Sequence, residues 1–101
     1  MSRQETRTRP AAAGARFELG RTLITPAAQN GLDPRDVQAC LTRHARGDWG
    51  DCCPEDAKEN DFSLARQLRL FSVYHDRNRT KFWIITEADR SATTILLPDD
   101  Y

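Results

Sequence analysis

The 101-residue sequence predicts one small α+β domain, with an antiparallel sheet of three or four strands and two or three helices packed on one face. Three observations lead to this fold class. The length is that of a single domain. Helix-start signals, in which a capping residue precedes a proline, recur in the first half of the chain. The last third consists of three apolar runs separated by short polar links, which is typical of an antiparallel meander.

The N-terminal end is predicted to lie outside the domain. Residues 1–15 contain almost no large apolar side chain and carry a local charge of +2 from three arginines against one glutamate. These features predict a disordered basic tail, so the ordered domain should span residues 16–101. The domain should begin with a short strand in the run 16–25, because Phe17, Leu19, Arg21 and Leu23 share one parity.

Three helices are predicted between this strand and the meander. Thr25 and Asp33 are capping residues that each precede a proline, while Asn30-Gly31 and Gly47 are natural stops. A third helix should begin at Pro54 and end near residues 66–68. The second helix has the clearest amphipathic pattern, with one face made of Val37, Cys40, Leu41 and His44.

The meander is predicted from three runs, Leu70–His75, Thr80–Thr86 and Ala92–Leu97. The middle run is almost entirely β-branched or aromatic, as a central strand would be. Short polar links at residues 76–79 and 87–91 connect the runs, so consecutive strands should pair antiparallel. The helices are then expected to cover one face of the sheet.

Charge and cysteine content restrict the class of function and the compartment. The chain has 15 basic and 15 acidic residues, and this balance argues against dedicated nucleic-acid binding by the folded domain. No apolar run approaches the roughly 18–20 residues of a membrane span, and the N-terminus lacks the apolar segment of a secretory signal. Three cysteines do not suit a secreted disulfide scaffold, so we expect a cytoplasmic protein with reduced thiols.

Two polar loops contain the residues that we predict to bind a partner. One loop runs from Gly47 to Asp51 and contains a tryptophan, and the other runs from Glu87 to Arg90. Aromatic residues and arginine are preferred anchors of protein interfaces. The structural alternative is that Asp89 pairs with Arg90 while Trp49 fills the edge of the core. The predicted partner-binding residues are Arg43, His44, Asp48, Trp49, Glu87, Asp89 and Arg90.

Metal binding and catalysis have weaker support in the sequence. Cys40 and His44 lie four residues apart on one helix face and Cys52-Cys53 follow, but the paired spacing of zinc sites is missing. No catalytic signature occurs either, so we predict no metal, no cofactor and no enzymatic activity. Two alternatives stay open. One is a nucleic-acid accessory protein that uses the basic tail, and the other is a small enzyme or metal protein that uses His44 with Asp48, Cys52 or Glu87.

Several stretches also carry a resemblance. They are Phe17–Arg21, Thr25-Pro26, Arg43-His44, Gly47–Gly50, Trp83–Ser91 and Thr93–Pro98. Together they resemble a widespread family of small bacterial proteins described as plasmid-related or hypothetical, some of which are labelled as a type I restriction subunit. The resemblance covers about residues 16–101, although Cys40, Cys52 and Cys53 depart from the family pattern.

What the resemblance implies is carriage on plasmids, phages and other mobile elements, without an assigned activity. Small proteins of mobile elements often act by binding and blocking a host defence complex, restriction or CRISPR. By this analogy of genetic context, we expect a non-enzymatic module that binds and inhibits a defence complex or nuclease.

Overall fold

The structure is a computed structural model that describes residues 14–101. The predicted basic tail spans residues 1–15, of which residues 1–13 lie outside the described range. Among the helices of the described range, none has the length and apolar character that crossing a bilayer requires. The elements in chain order are β1 (Arg21–Ile24), α1 (Pro26–Gly31), α2 (Pro34–Ala45), α3 (Pro54–Arg66), β2 (Leu70–His75), β3 (Lys81–Thr86), β4 (Ala92–Leu96) and a 3₁₀ turn (Pro98–Asp100).

Capping residues mark the starts of the first two helices and the end of the third. The Thr25 hydroxyl accepts a hydrogen bond from the Ala28 amide at 3.2 Å, and the Asp33 carboxylate accepts one from the Arg35 amide at 2.9 Å. Each satisfies an amide that the first helical turn leaves without a partner. At the end of α3, Gln67 takes a left-handed conformation with φ +57°. The predicted three helices are confirmed.

The sheet is mixed, with the strand order β1-β4-β3-β2. The meander is confirmed, because β2 pairs with β3 and β3 with β4, both antiparallel. The prediction of a wholly antiparallel sheet is wrong at β1, which lies parallel to β4. A short link forces antiparallel pairing only between two strands that follow each other in the sequence. Three helices separate β1 from the other strands, and a connection of that length allows either direction of β1.

The first strand is also shorter than the predicted run 16–25. It begins only at Arg21, because the preceding segment lies against the end of α2, where the Arg16 amide donates to the Ala45 carbonyl at 2.7 Å. Gly20 then turns the chain into β1 with φ +67°. A side chain at Gly20 would overlap the backbone of Arg90 and Ser91, so the turn requires glycine.

The hydrophobic core lies between α1, α2 and one face of the sheet. The helices and the loop between them supply Ala28, Leu32, Val37, Cys40 and Leu41, and the sheet supplies Tyr74, Phe82, Ile84 and Ile95. This confirms the expected packing for two of the helices.

The third helix lies along the β2 edge of the sheet. The Asn60 side chain donates to the Phe71 carbonyl at 2.5 Å and accepts from the Phe71 amide at 3.0 Å. These two bonds satisfy backbone groups that an edge strand would otherwise leave unpaired. The buried residues of α3 are Asn60 and Ser63, both polar, so α3 adds no buried apolar side chain to either face of the sheet.

Candidate functional site

The two loops predicted to bind a partner meet at Phe17. The Phe17 ring stacks on Trp49 with centroids 6.3 Å apart and meets the His44 ring edge-on at 5.3 Å. The guanidinium carbon of Arg90 lies 5.5 Å from the centre of the same ring. Phe17 therefore joins the Gly47–Asp51 loop to the Glu87–Arg90 loop, a role that its place in a short predicted strand did not indicate.

Two of the seven predicted residues are buried. His44 is 0% exposed and Trp49 is 5% exposed, so in this structure neither side chain forms part of the surface. The Trp49 indole donates to the Asp61 carboxylate at 2.9 Å, which links the loop to α3. Trp49 thus fills the edge of the core, as the structural alternative expected. Partner binding stays a prediction for the other five residues, Arg43, Asp48, Glu87, Asp89 and Arg90.

Arg43 and Asp48 form an ion pair that stabilises the first loop. Two guanidinium nitrogens of Arg43 donate to the two carboxylate oxygens of Asp48 at 2.8 and 3.2 Å. Hydrogen bonding from Arg43 holds the pKa of Asp48 below its ordinary value. The Asp48 carbonyl accepts from the Tyr74 hydroxyl at 2.6 Å, which attaches the loop to β2. Both charged side chains stay about half exposed.

The second loop is a tight turn in which Asp89 and Arg90 do not pair. The Asp89 carboxylate accepts from the Ser91 amide at 3.0 Å. Arg90 has a left-handed backbone with φ +62°, and its Nη1 donates to the carbonyls of Leu68, Glu87 and Ala88 at 2.6, 3.1 and 3.2 Å. The guanidinium is therefore fixed by main-chain acceptors, and two separate sets of bonds replace the Asp89–Arg90 ion pair that the structural alternative expected.

His44 is the centre of a buried chain of hydroxyl groups. Its Nδ1 lies 2.5 Å from the Ser72 hydroxyl and its Nε2 lies 2.8 Å from the Thr86 hydroxyl. Thr86 contacts Thr93 at 2.8 Å, and Thr93 donates to the Leu19 carbonyl at 2.6 Å. Because the Thr93 proton goes to that carbonyl, Thr86 donates to Thr93 and His44 donates from Nε2 to Thr86. Ser72 then donates to Nδ1.

This arrangement fixes His44 as a neutral imidazole with its proton on Nε2. Burial, with a smaller contribution from the charge of Arg90, lowers the pKa of His44 to about 3. A serine beside an imidazole is the pairing of a nucleophile and a general base, yet Ser72 and His44 are both 0% exposed. A substrate could reach Ser72 only if the core opened. The partners of His44 are these hydroxyls, rather than Asp48, Cys52 or Glu87 as the enzyme alternative expected.

Two of the three cysteines are packing groups, and the third, Cys53, is exposed. Cys40 belongs to the core, and Cys52 directs its Sγ to the Phe71 carbonyl at 3.6 Å. Burial raises the pKa of both thiols, which keeps them protonated and weakly nucleophilic. Within residues 14–101, no group of three or more histidine, cysteine, aspartate or glutamate side chains is arranged to hold a metal ion.

A second surface, which sequence reasoning missed, is the sheet face opposite the helices. We call it the open sheet face and define it by Leu23, Phe71, Val73, Trp83 and Tyr101. The Phe71 and Trp83 rings lie 4.8 Å apart, and Tyr101 meets Trp83 edge-on at 5.6 Å. Leu23 is 41% exposed and Tyr101 is 70% exposed, while the other three are partly exposed. Ile85 and Leu96 lie on the same side of the sheet but are buried.

Comparison of the chain with protein-family models, with curated proteins and with solved structures gave no match. The membership suggested by the sequence resemblance therefore stays a prediction. Functional inference depends on the geometry of the described residues.

Charged side chains surround the open sheet face. Arg69 donates to the Tyr101 hydroxyl at 3.0 Å, and its guanidinium carbon lies 5.7 Å from the centre of the Tyr101 ring. Arg69 also lies 3.8 Å from the Glu87 carboxylate. By strand parity, Arg21 and Lys81 project to the same side as Leu23 and Trp83. The sequence does contain a signal for this surface. The run Lys81–Thr86 has apolar residues at both odd and even positions, so both faces of the strand have apolar side chains to bury.

Proposed function

We propose that this chain is a non-enzymatic protein-binding module, and that the open sheet face is its contact surface. One observation carries the proposal. The face presents three aromatic rings and two aliphatic side chains that are exposed or partly exposed, while α1 and α2 pack their buried apolar residues on the other side of the sheet. Contiguous exposed apolar surface on a small domain is typical of an interaction site. Aromatic residues flanked by arginine are also the residues that dominate binding energy at protein interfaces.

The mixture of charges around the face favours a protein partner over a nucleic acid. Arg21, Arg69 and Lys81 are positive, but Glu87 lies against Arg69, and Asp99 and Asp100 precede Tyr101. Binding to phosphates needs a strongly positive field, which these carboxylates weaken. A rim of both signs around an apolar centre is instead the usual anatomy of a protein interface.

The resemblance seen in the sequence supports a more specific form of the proposal. If the chain belongs to a mobile element, its partner would be a host defence complex or nuclease in the cytoplasm, and binding would inhibit that complex. The buried Ser72–His44 pair does not favour an enzyme, since a substrate has no open path to it.

The experiment is capture of partners by the tagged full chain from a bacterial lysate treated with nuclease, with affinities then measured on the captured protein. Leu23→Asp and Tyr101→Ala change exposed residues of the face and should each weaken binding about tenfold or more. Phe62→Asp is the matched control, because Phe62 is a 48% exposed apolar residue on α3, outside the face. Urea unfolding of each variant verifies the fold.

Three results would overturn the proposal. One is equal loss of binding in the Phe62 control and the face variants. Another is unchanged binding in both face variants while Arg43→Gln abolishes it, which would assign recognition to the predicted loops. The third is that a partner is captured from a parallel untreated lysate but not from the lysate treated with nuclease, which would make the recognised partner a nucleic acid.

A further inference from the structure

A pocket of about 320 Å³ lies beside the Glu87–Arg90 turn and is not part of the open sheet face. Its wall is formed by the segment before β1, the end of α3 and the turn itself. We name it the Arg90 pocket. It is lined by Arg16, Phe17, Glu18, Leu64, Gln67, Ala88, Asp89 and Arg90. Its volume is within the range of small-ligand sites.

Arg90 is held rigidly at this pocket. Its Nη1 is bound to three main-chain carbonyls, and its guanidinium lies over the Phe17 ring. Arg90 also has a left-handed backbone, with φ +62°, whereas the left-handed Gln67 is the residue that ends α3. Such conformations are unfavourable for residues with a side chain and are concentrated at sites that hold ligands. The binding geometry of Arg90 is therefore set before any ligand arrives.

One donor group of this fixed guanidinium is unused. Nη2 of Arg90 is enclosed and has no hydrogen-bond partner within residues 14–101. An enclosed charged donor without an acceptor is unfavourable, and native structures contain few of them. A carboxylate oxygen would supply the missing acceptor, since guanidinium and carboxylate form short charge-assisted bonds.

The other residues that line the pocket restrict the kind of molecule that can present this carboxylate. Phe17 and Leu64 offer apolar wall for a short aliphatic stem, Arg16 adds a second cation, and Glu18 adds an acidic side chain to the lining. Asp89 is engaged with the Ser91 amide, so its charge is partly satisfied. Because Nη2 is enclosed, a ligand reaches it only after a neighbouring side chain rotates. Arg16 and Gln67 are the long exposed side chains of the lining that are neither apolar nor acidic.

We propose that the Arg90 pocket binds a carboxylate on a short aliphatic stem, with Nη2 of Arg90 as the anchoring donor. Two sources share this chemistry. One is the glutamate or aspartate side chain of a partner protein, and the other is a free small dicarboxylate. The site does not depend on the open sheet face being an interface.

The test is an NMR titration of the ¹⁵N-labelled chain that follows the Arg90 side-chain Nε–H signal. The probes are succinate and a blocked glutamate, N-acetylglutamate N-methylamide, and the matched blocked glutamine lacks the charge. We expect saturable shifts with at least one carboxylate probe at millimolar concentration, and at least tenfold weaker response to the glutamine. The probe that binds more tightly identifies the source.

Variants extend the test. Arg90→Lys keeps the charge but lacks the second nitrogen and should bind at least tenfold more weakly. Arg35→Gln is the control, because Arg35 pairs with Asp33 at the start of α2 and should leave binding unchanged. The wild-type titration decides the matter even if Arg90→Lys unfolds. No shift of the Arg90 signal with either carboxylate, or an equal shift with the glutamine, would show that Arg90 only stabilises the turn.

Discussion

The burial of His44 as a neutral imidazole should make the stability of the fold depend on pH. Its folded-state pKa of about 3 compares with an ordinary value of 6.5. Above pH 6.5 the imidazole is neutral in both states, so stability is complete. Between pH 6.5 and 3 the unfolded chain binds a proton that the folded chain does not, so stability falls as pH falls.

The expected loss follows from these two values. Each pH unit within the window removes at most about 1.4 kcal/mol from the free energy of unfolding. At pH 5 the accumulated loss relative to pH 8 is about 2 kcal/mol. That is a large part of the stability of a domain of this size, which is commonly about 5–15 kcal/mol. The origin of the loss is the desolvation of a charged ring enclosed by hydroxyl groups.

The assay is urea unfolding followed by circular dichroism at several pH values from 8 to 5. His44→Gln should lower stability at pH 8, because the core loses its fitted ring, but should make the pH profile flat above pH 5. The chain contains one other histidine, His75, whose imidazole is 43% exposed and bonded to Asp51 at 2.7 Å. His75→Gln is therefore the matched control, because it replaces a histidine but leaves the buried His44 ring in place, so stability should still fall between pH 8 and 5.

Two results would refute the reasoning. One is a wild-type free energy of unfolding that changes by less than about 0.5 kcal/mol between pH 8 and 5, since the expected change is about four times larger. The other is a His44→Gln variant with the wild-type slope. An independent check is the NMR signal of the His44 ring, which should not titrate above pH 5.

Two further predictions concern the β2 edge. Gly50→Ala should lower the free energy of unfolding by more than about 2 kcal/mol, because φ there is +73° and a Cβ would overlap the Val73 carbonyl. Gly31→Ala, where the new carbon meets only ordinary contact, should change it by less than 1 kcal/mol in the same urea assay, and equal effects would contradict this account. Asn60→Ala should cost about 2–4 kcal/mol, because it leaves the Phe71 amide unpaired and leaves the Phe71 carbonyl with only the weak thiol donor of Cys52. Asn60→Asp keeps the acceptor for the Phe71 amide but places a carboxylate oxygen against the Phe71 carbonyl, so it should cost at least as much as the alanine variant, and wild-type stability in either variant would contradict this account.

Local chemistry explains what could be predicted from the sequence. The helix starts at Thr25 and Asp33 depend on side chains that bond amides two or three residues away, so the pattern is contained in the sequence itself. The same holds for the meander, where short polar links leave consecutive strands no choice but to pair antiparallel.

The rest depended on contacts between distant parts of the chain. The direction of β1 is set by the path over the helices, which no local residue records. Trp49 has the composition signal of an interface anchor, but its indole finds an acceptor in Asp61, twelve residues away on another element. Whether an aromatic residue is an anchor or a core residue depends on such a partner, so the sequence alone could not separate the two interpretations.

The buried hydroxyl chain has a consequence for how the strands find their alignment. Ile84 and Ile85 are both buried on opposite sides of β3, so hydrophobicity alone does not tell the strand which side to turn toward the helices. A slip by one residue would replace the Thr86 hydroxyl with an isoleucine and leave the His44 Nε2–H without an acceptor. The hydroxyl groups of these three strands therefore fix the register. Ser72, Thr86 and Thr93 lower the free energy of the correct strand pairing relative to pairings shifted by one residue. Apolar side chains at the same positions would not distinguish the correct register from the shifted ones.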